Sequence, residues 1–111
     1  MATTFKTLGQ MVPGASTLTD LYTVPPVTQA SCSSVVICNQ NPANVPVLFR
    51  ISVAVAGAAN DQKQYLYYNE FLAGHTTFIA TIGISLGVGD VVRVWADHGS
   101  VSFNLFGIEV S

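Results

Sequence analysis

The sequence predicts an all-β fold, an antiparallel β-sandwich of about eight short strands that is jelly-roll-like in topology. Three observations predict it. Apolar side chains recur with a period of two in segment after segment, as in "VLFRISVAV" and "TTFIATIGI". Turn-forming stretches, "VPGAST", "VPPVTQA", "NQNPANVP", "VAGAAND" and "FLAGH", separate these segments at roughly eight to twelve residues. No longer run carries a capped, apolar helical stripe. A chain of 111 residues supports one core, so residues 1–111 are expected to form a single domain.

The elements follow in chain order. Residues 1–10, small and polar at their start, are expected to form an N-terminal arm, with a weak strand signal in "FKTLGQMV". "DLYTV" and "SSVVICN" read as strands rich in β-branched residues. In "VLFRISVAV", Val47, Phe49, Ile51, Val53 and Val55 share one face, and Leu48, Arg50, Ser52 and Ala54 the other. "KQYLYYNEF" is a further strand, with Tyr65 and Tyr67 expected on one face and Leu66 and Tyr68 on the opposite one. Phe78, Ala80, Ile82 and Ile84 fall together, opposite Thr77, Ile79 and Thr81. "DVVRVWAD" turns Val92, Val94 and Ala96 one way and Val91, Arg93, Trp95 and Asp97 the other. In the last strand Val101, Phe103 and Leu105 share a face, and then Ile108 and Val110 continue the apolar set only if one residue is skipped. Gly107 sits at the skip, so a bulge is expected there.

The surface is short of charge. Hydrophobic residues make up 50% of the chain and charged ones only 9%, against about 25% charged in an average soluble domain. "FLAGHTTFIATIGISLGVG", Phe71 to Gly89, has no Asp, Glu, Lys or Arg and approaches the length of a membrane-spanning helix. Thr76, Thr77, Thr81, Ser85 and His75 interrupt it, and Gly74, Gly83, Gly87 and Gly89 punctuate it as turns and strand ends do, so no membrane partner is expected. A surface poor in charge then suits burial against other subunits, where charged groups would have to be desolvated. The opening "MATTFKTLGQ" lacks the basic patch and apolar run of a secretory leader. With a net charge of −2 and its four basic residues, Lys6, Arg50, Lys63 and Arg93, scattered, no nucleic-acid partner is expected.

The reactive residue types form no complete catalytic or metal-binding pattern in the sequence. Cys32 and Cys38 lie six residues apart, roughly 20 Å along a straight strand, whereas a disulfide needs Cα atoms within about 7 Å. They are expected to be free thiols packed in the core, consistent with synthesis in a reducing host cytoplasm. "GISLG", Gly83 to Gly87, matches the serine-nucleophile string, with Asp90 or Asp97 and His98 following. That motif works through a sharp strand-to-helix turn, and no helix is predicted after Leu86, so Ser85 is not expected to be catalytic. His75 and His98 flank turn glycines, the six carboxylates are dispersed, and "GVGD" lacks a dinucleotide fingerprint. No catalytic residue, cofactor or metal site is expected, and the chain is not expected to be an enzyme. The candidate interface residues are Arg93, Trp95 and Asp97, since Trp and Arg anchor interfaces and Arg stacks on indole, together with Tyr65 and Tyr67.

The stretches "LYTVPPVTQASCSSVVICNQNP", "FRISVAVAG" leading to "KQYLYYNE", and "VGDVVRVWADHGSVSFNLFGIEVS" together resemble small β proteins of tailed-bacteriophage structural modules. The resemblance covers most of the chain after Leu18 and carries no site motif. It implies a virion protein, most of all a capsid cement or decoration protein on the capsid exterior. Such a protein forms homodimers or homotrimers and staples neighbouring major capsid protein subunits. The alternative it leaves is a tail, neck or baseplate subunit, or a glycan-binding knob in which Trp95, Tyr65 and Tyr67 stack on sugar.

Overall fold

A computed structural model describes residues 2–111. Eight strands run in order: β1 (Thr3–Met11), β2 (Thr19–Thr23), β3 (Gln29–Asn39), β4 (Val47–Ala54), β5 (Tyr65–Leu72), β6 (Thr77–Leu86), β7 (Val91–Ala96) and β8 (Val101–Val110). Two short 3-10 turns, Val55–Gly57 and Gln62–Gln64, occupy the β4–β5 connection. The strands form two antiparallel four-stranded sheets, β1-β8-β3-β6 and β2-β7-β4-β5, packed as the expected β-sandwich. Within them β1 pairs with β8, β2 with β7, β3 with β6 and β4 with β5, as if one long hairpin bent at its tip had been rolled over a core. The β8–β3 and β4–β7 pairings then complete the two sheets. The uncharged stretch from Phe71 to Gly89 is therefore the end of β5, a turn, and all of β6; no helix among the described residues is long and apolar enough to cross a membrane.

The core follows from strand alternation. Val101, Phe103 and Leu105 on β8 and Val92, Val94 and Ala96 on β7 are buried, as their two-residue spacing requires. Phe49 on β4 reaches across the gap. Its ring centroid lies 5.4 Å from Phe78 on β6, 6.4 Å from Phe103 on β8 and 6.1 Å from Tyr67 on β5. On β3, Ala30 and Cys32 point inward, and Val35 and Ile37 do so after one extra residue, Ser33, shifts the phase. Cys32 and Cys38 are both free thiols, and burial pushes the Cys32 thiol up to about 11.

Two expectations about the ends of the chain are corrected. The segment 1–10, expected as an arm, runs from Thr3 as edge strand β1 against β8, and only Leu8 among its side chains is buried. The bulge expected at Gly107 falls on both neighbouring strands instead: Leu8 is the extra residue of β1, and Ser33 that of β3, opposite an uninterrupted β8. Gly107 points inward, where a Cβ would overlap the Ser31 carbonyl oxygen and lie 3.0 Å from the Cys32 Cα. Close approach of two backbones, not a skipped residue, is why glycine stands there. At the extreme ends, the Ala2 N–H donates to the Ser111 carbonyl at 2.6 Å and the Ser111 N–H returns a bond to Ala2 at 2.9 Å.

The sandwich is closed along one side and open along the other. On the closed side β1 lies against β2, because Gly9 has no Cβ, which would stand 2.9 Å from the Leu21 Cγ. Across this side the Tyr22 hydroxyl donates to Glu109 Oε2 at 2.6 Å, and Lys6 Nζ to Oε1 at 3.3 Å, so one carboxylate ties β1, β2 and β8. On the open side β5 and β6 are the two free edges. There Phe78, Ala80, Ile82 and Ile84 pack against the core but stay only partly buried, beside a cleft of about 490 Å³ lined by Tyr65, Leu66, Tyr67, Thr81, Ile82 and Ile84.

The closed side makes two predictions. The Tyr22 hydrogen bond, with a smaller contribution from Lys6, holds the Glu109 carboxyl below the usual carboxylate range against the opposing effect of burial. A depressed carboxylate contributes fully above its unfolded pKa, about 4.3, and loses that contribution as pH falls through the lowered value. Tyr22→Phe is therefore expected to cost about 1–3 kcal/mol in urea denaturation at neutral pH, with the gap to wild type narrowing below about pH 4. Gly107→Ala, which drives a methyl group into strand backbone, is expected to cost about 1–3 kcal/mol in the same measurement.

Candidate interaction surface

The outward face of the second sheet is organised by Arg50 on β4. Its register partner on β7 is Trp95, and the guanidinium carbon lies 3.9 Å from the Trp95 ring and 4.3 Å from the Tyr68 ring on β5. The Arg50 Nε donates to Asn69 Oδ1 at 2.7 Å. The sequence raised an arginine stacked on the indole, with Arg93 beside it; the arginine that stacks is Arg50, because cross-strand neighbours meet on a sheet face and sequence neighbours do not.

Strand β5 carries two irregularities that rearrange the tyrosines. Tyr65 pairs with Ser52, Tyr67 with Ile51 and Glu70 with Phe49, leaving Leu66 extra in the first interval and Tyr68 with Asn69 opposite Arg50 in the second. Asn69 takes a φ of +53°, a conformation asparagine tolerates. Tyr65 and Tyr67 consequently do not share a face as expected. The Tyr67 ring enters the core, 5.6 Å from Phe78, whereas the Tyr65 and Tyr68 rings meet edge to face at 5.0 Å.

The other expected residues lie on this outward face with their polar groups engaged inside the chain. Arg93 donates from Nε to Asp20 at 3.1 Å, from Nη1 to the Ala58 carbonyl at 2.9 Å and from Nη2 to the Gly57 carbonyl at 3.4 Å. These bonds hold the β4–β5 connection against the sheet. Ser52, between Arg93 and Tyr65 in register, is fully buried, and its Oγ has no hydrogen-bond partner among the described residues. Asp97 Oδ1 accepts from the Leu48 N–H at 3.0 Å and stands 2.9 Å from His98 Nδ1.

The residues weighed for catalysis serve turns and edges. Ser85 lies exposed inside β6, followed by a turn in which the Asp90 carboxylate accepts from the Gly87 and Ala56 N–H groups at 2.9 Å each. His75 Nε2 lies 2.8 Å from the Asn41 carbonyl, joining two loops. Among the described residues no group of three His, Cys, Asp or Glu side chains converges as a metal site would.

The sequence reading missed the β6 edge. This strand pairs only with β3, so its other side presents unpaired backbone N–H and C=O groups. Its outward row is Thr77, Ile79, Thr81, Gly83 and Ser85, with Ile79 68% exposed, and no charge or proline guards it. The signal lies in the uncharged run from Phe71 to Gly89, whose alternation gives a strand but whose linear pattern does not show that the strand is an edge.

No family model matches the chain, and no curated protein matches it. Among solved structures it is similar to a pentameric capsid protein isolated from metagenomic phage sequences, with 13% identity and a TM-score of 0.41 over 96% of this chain and 59% of that one. A second structure of that description gives 11% identity and a TM-score of 0.32 over 96% of this chain and 60% of the other. The chain thus spans about three-fifths of the length of each of these capsid proteins.

Proposed function

We propose that this chain is a structural virion protein, a capsid cement protein that forms a homodimer or homotrimer on the capsid exterior and staples neighbouring major capsid subunits. The observation that carries the reading is the uncharged β6 edge. Natural edge strands are blunted by charge, proline or bulges because an open edge templates pairing with another chain. Here ten residues of edge, Thr77–Leu86, carry no charge and no proline, a single irregularity at Ile82 and Gly83 interrupts them, and Leu66 and Phe71 of the β5 edge are exposed as well. An edge of that kind suits a protein that is assembled for most of its life, since obligate interfaces are more apolar than free surfaces.

The strand pairing supports the same reading, because each strand pairs as in a jelly roll of two Greek keys, an architecture used in viral capsids. Arg93 and Asp97 are engaged within the chain and Trp95 lies against Arg50, so we place the principal contact at the β6 edge. Multivalent attachment then lets modest contacts hold a shell, as each copy adds area that must separate before the lattice expands.

The test has two parts. Wild-type protein is expected to run as a dimer or trimer in light-scattering chromatography, and Ile79→Lys, which sets a charge on the exposed edge, as a monomer with an unchanged melting temperature. Purified virions are expected to carry the protein on their heads in many copies, and particles lacking it to release genome at lower temperature. A monomeric wild type, or depleted particles as heat-resistant as complete ones, overturns the proposal.

A further inference from the structure

We infer that the outward face of the second sheet holds a binding site for a carboxylate-bearing saccharide, centred on Arg50. The inference goes beyond the capsid role and does not rest on it. The Trp95 and Tyr68 rings, with the bond from Nε to Asn69, fix the plane of the Arg50 guanidinium. Its Nη donors find no acceptor among the described residues. Lys6 pairs with Glu109 and Arg93 with Asp20, whereas no carboxylate lies within ion-pair distance of Arg50 among the described residues. An immobilised planar fork with free parallel donors is the geometry that a carboxylate accepts at both oxygens.

The surroundings select a sugar as the carrier of that carboxylate. Arg50 opens onto a cleft of about 430 Å³ lined by Asn60, Asp61, Gln62, Tyr65 and Tyr68, a volume suited to a small ligand. Tyr68 is 57% exposed, which leaves ring surface for the apolar face of a pyranose. The Asn60 and Gln62 amides make no hydrogen bond within the chain among the described residues, so both are free for hydroxyl groups. Asp61 caps the 3-10 turn Gln62–Gln64 through a reciprocal bond with Gln64, which holds this rim in place. A phosphate dianion suits the cleft less well, because one guanidinium is its only cation and Asp61 stands on its wall.

Trp95 is the single tryptophan and lies against Arg50, so its emission reports on the site. Titration with glucuronic acid and with N-acetylneuraminic acid is expected to give a saturable change in emission. The methyl ester of glucuronic acid, with the same ring and no carboxylate, is expected to bind about tenfold more weakly or worse. Arg50→Lys keeps the charge and loses the fork, and Tyr68→Ala loses the stacking surface; each is expected to weaken binding about tenfold. Because Arg50 lies on the fluorophore and Tyr68 on Arg50, saturation-transfer NMR on the sugar protons serves as the second readout, with thermal melting as the check on folding. Ile79→Lys is expected to bind like wild type, which separates failure of this site from failure of the edge contact. Absence of binding by both readouts, equal affinity for the methyl ester, or an equal response to sodium acetate or to a glutamate-containing peptide overturns the inference.

Discussion

The two sheets are pinned by the ring of Phe49. It belongs to the β2-β7-β4-β5 sheet, yet it touches Phe78 and Phe103 of the opposite one and Tyr67 of its own neighbour. Everything else in the sandwich is arranged around that contact. The inward rows of β4, β7 and β8 keep strict alternation because any slip would carry an apolar row into solvent. The irregularities fall on β1, β2, β3, β5 and β6, where an extra residue re-aims a side chain while β4, β7 and β8 run without one.

Strands that alternate cleanly were legible in the sequence. Strands β4, β6, β7 and β8 appear where a two-residue period met a turn signal, because half-buried strands must alternate and their connections must turn, whereas β1, exposed along most of its length, gave only a weak signal. What could not be read was produced by bulges and by register. Nothing local in "QYLYYNE" says that Leu66 is an extra residue, so the face assignment of Tyr65 followed a regular strand and was wrong. Gly107 was identified as exceptional, but its neighbour across the ladder, Ser31, supplies the reason, and cross-strand neighbours are invisible to a linear pattern. The Arg50–Trp95 stack is of the same kind. Two residues 45 positions apart meet because β4 and β7 are adjacent and in register.

The polar groups divide the surface into engaged and free regions. Glu109 gathers Tyr22 and Lys6 on the closed side, while Asn39, buried at the base of the loops, donates to the carbonyls of Val45 and Ala73 at 2.9 and 3.1 Å and receives the Asn41 N–H at 3.1 Å. Both residues bind sequence-distant segments where the sandwich must not open. The β6 edge and the Arg50 cleft are the opposite case, with donors and acceptors left over once the fold is complete. A chain with so few charges has little with which to shield such groups from partners, which makes their persistence a property of the surface as a whole.

The pairing of Ala2 with Ser111 brings the two ends of the described residues together on the β1–β8 ladder. The same geometry would let a short peptide bridge the two ends and new ends be cut in the β4–β5 connection, so that the chain could be threaded in a different order through the same eight strands.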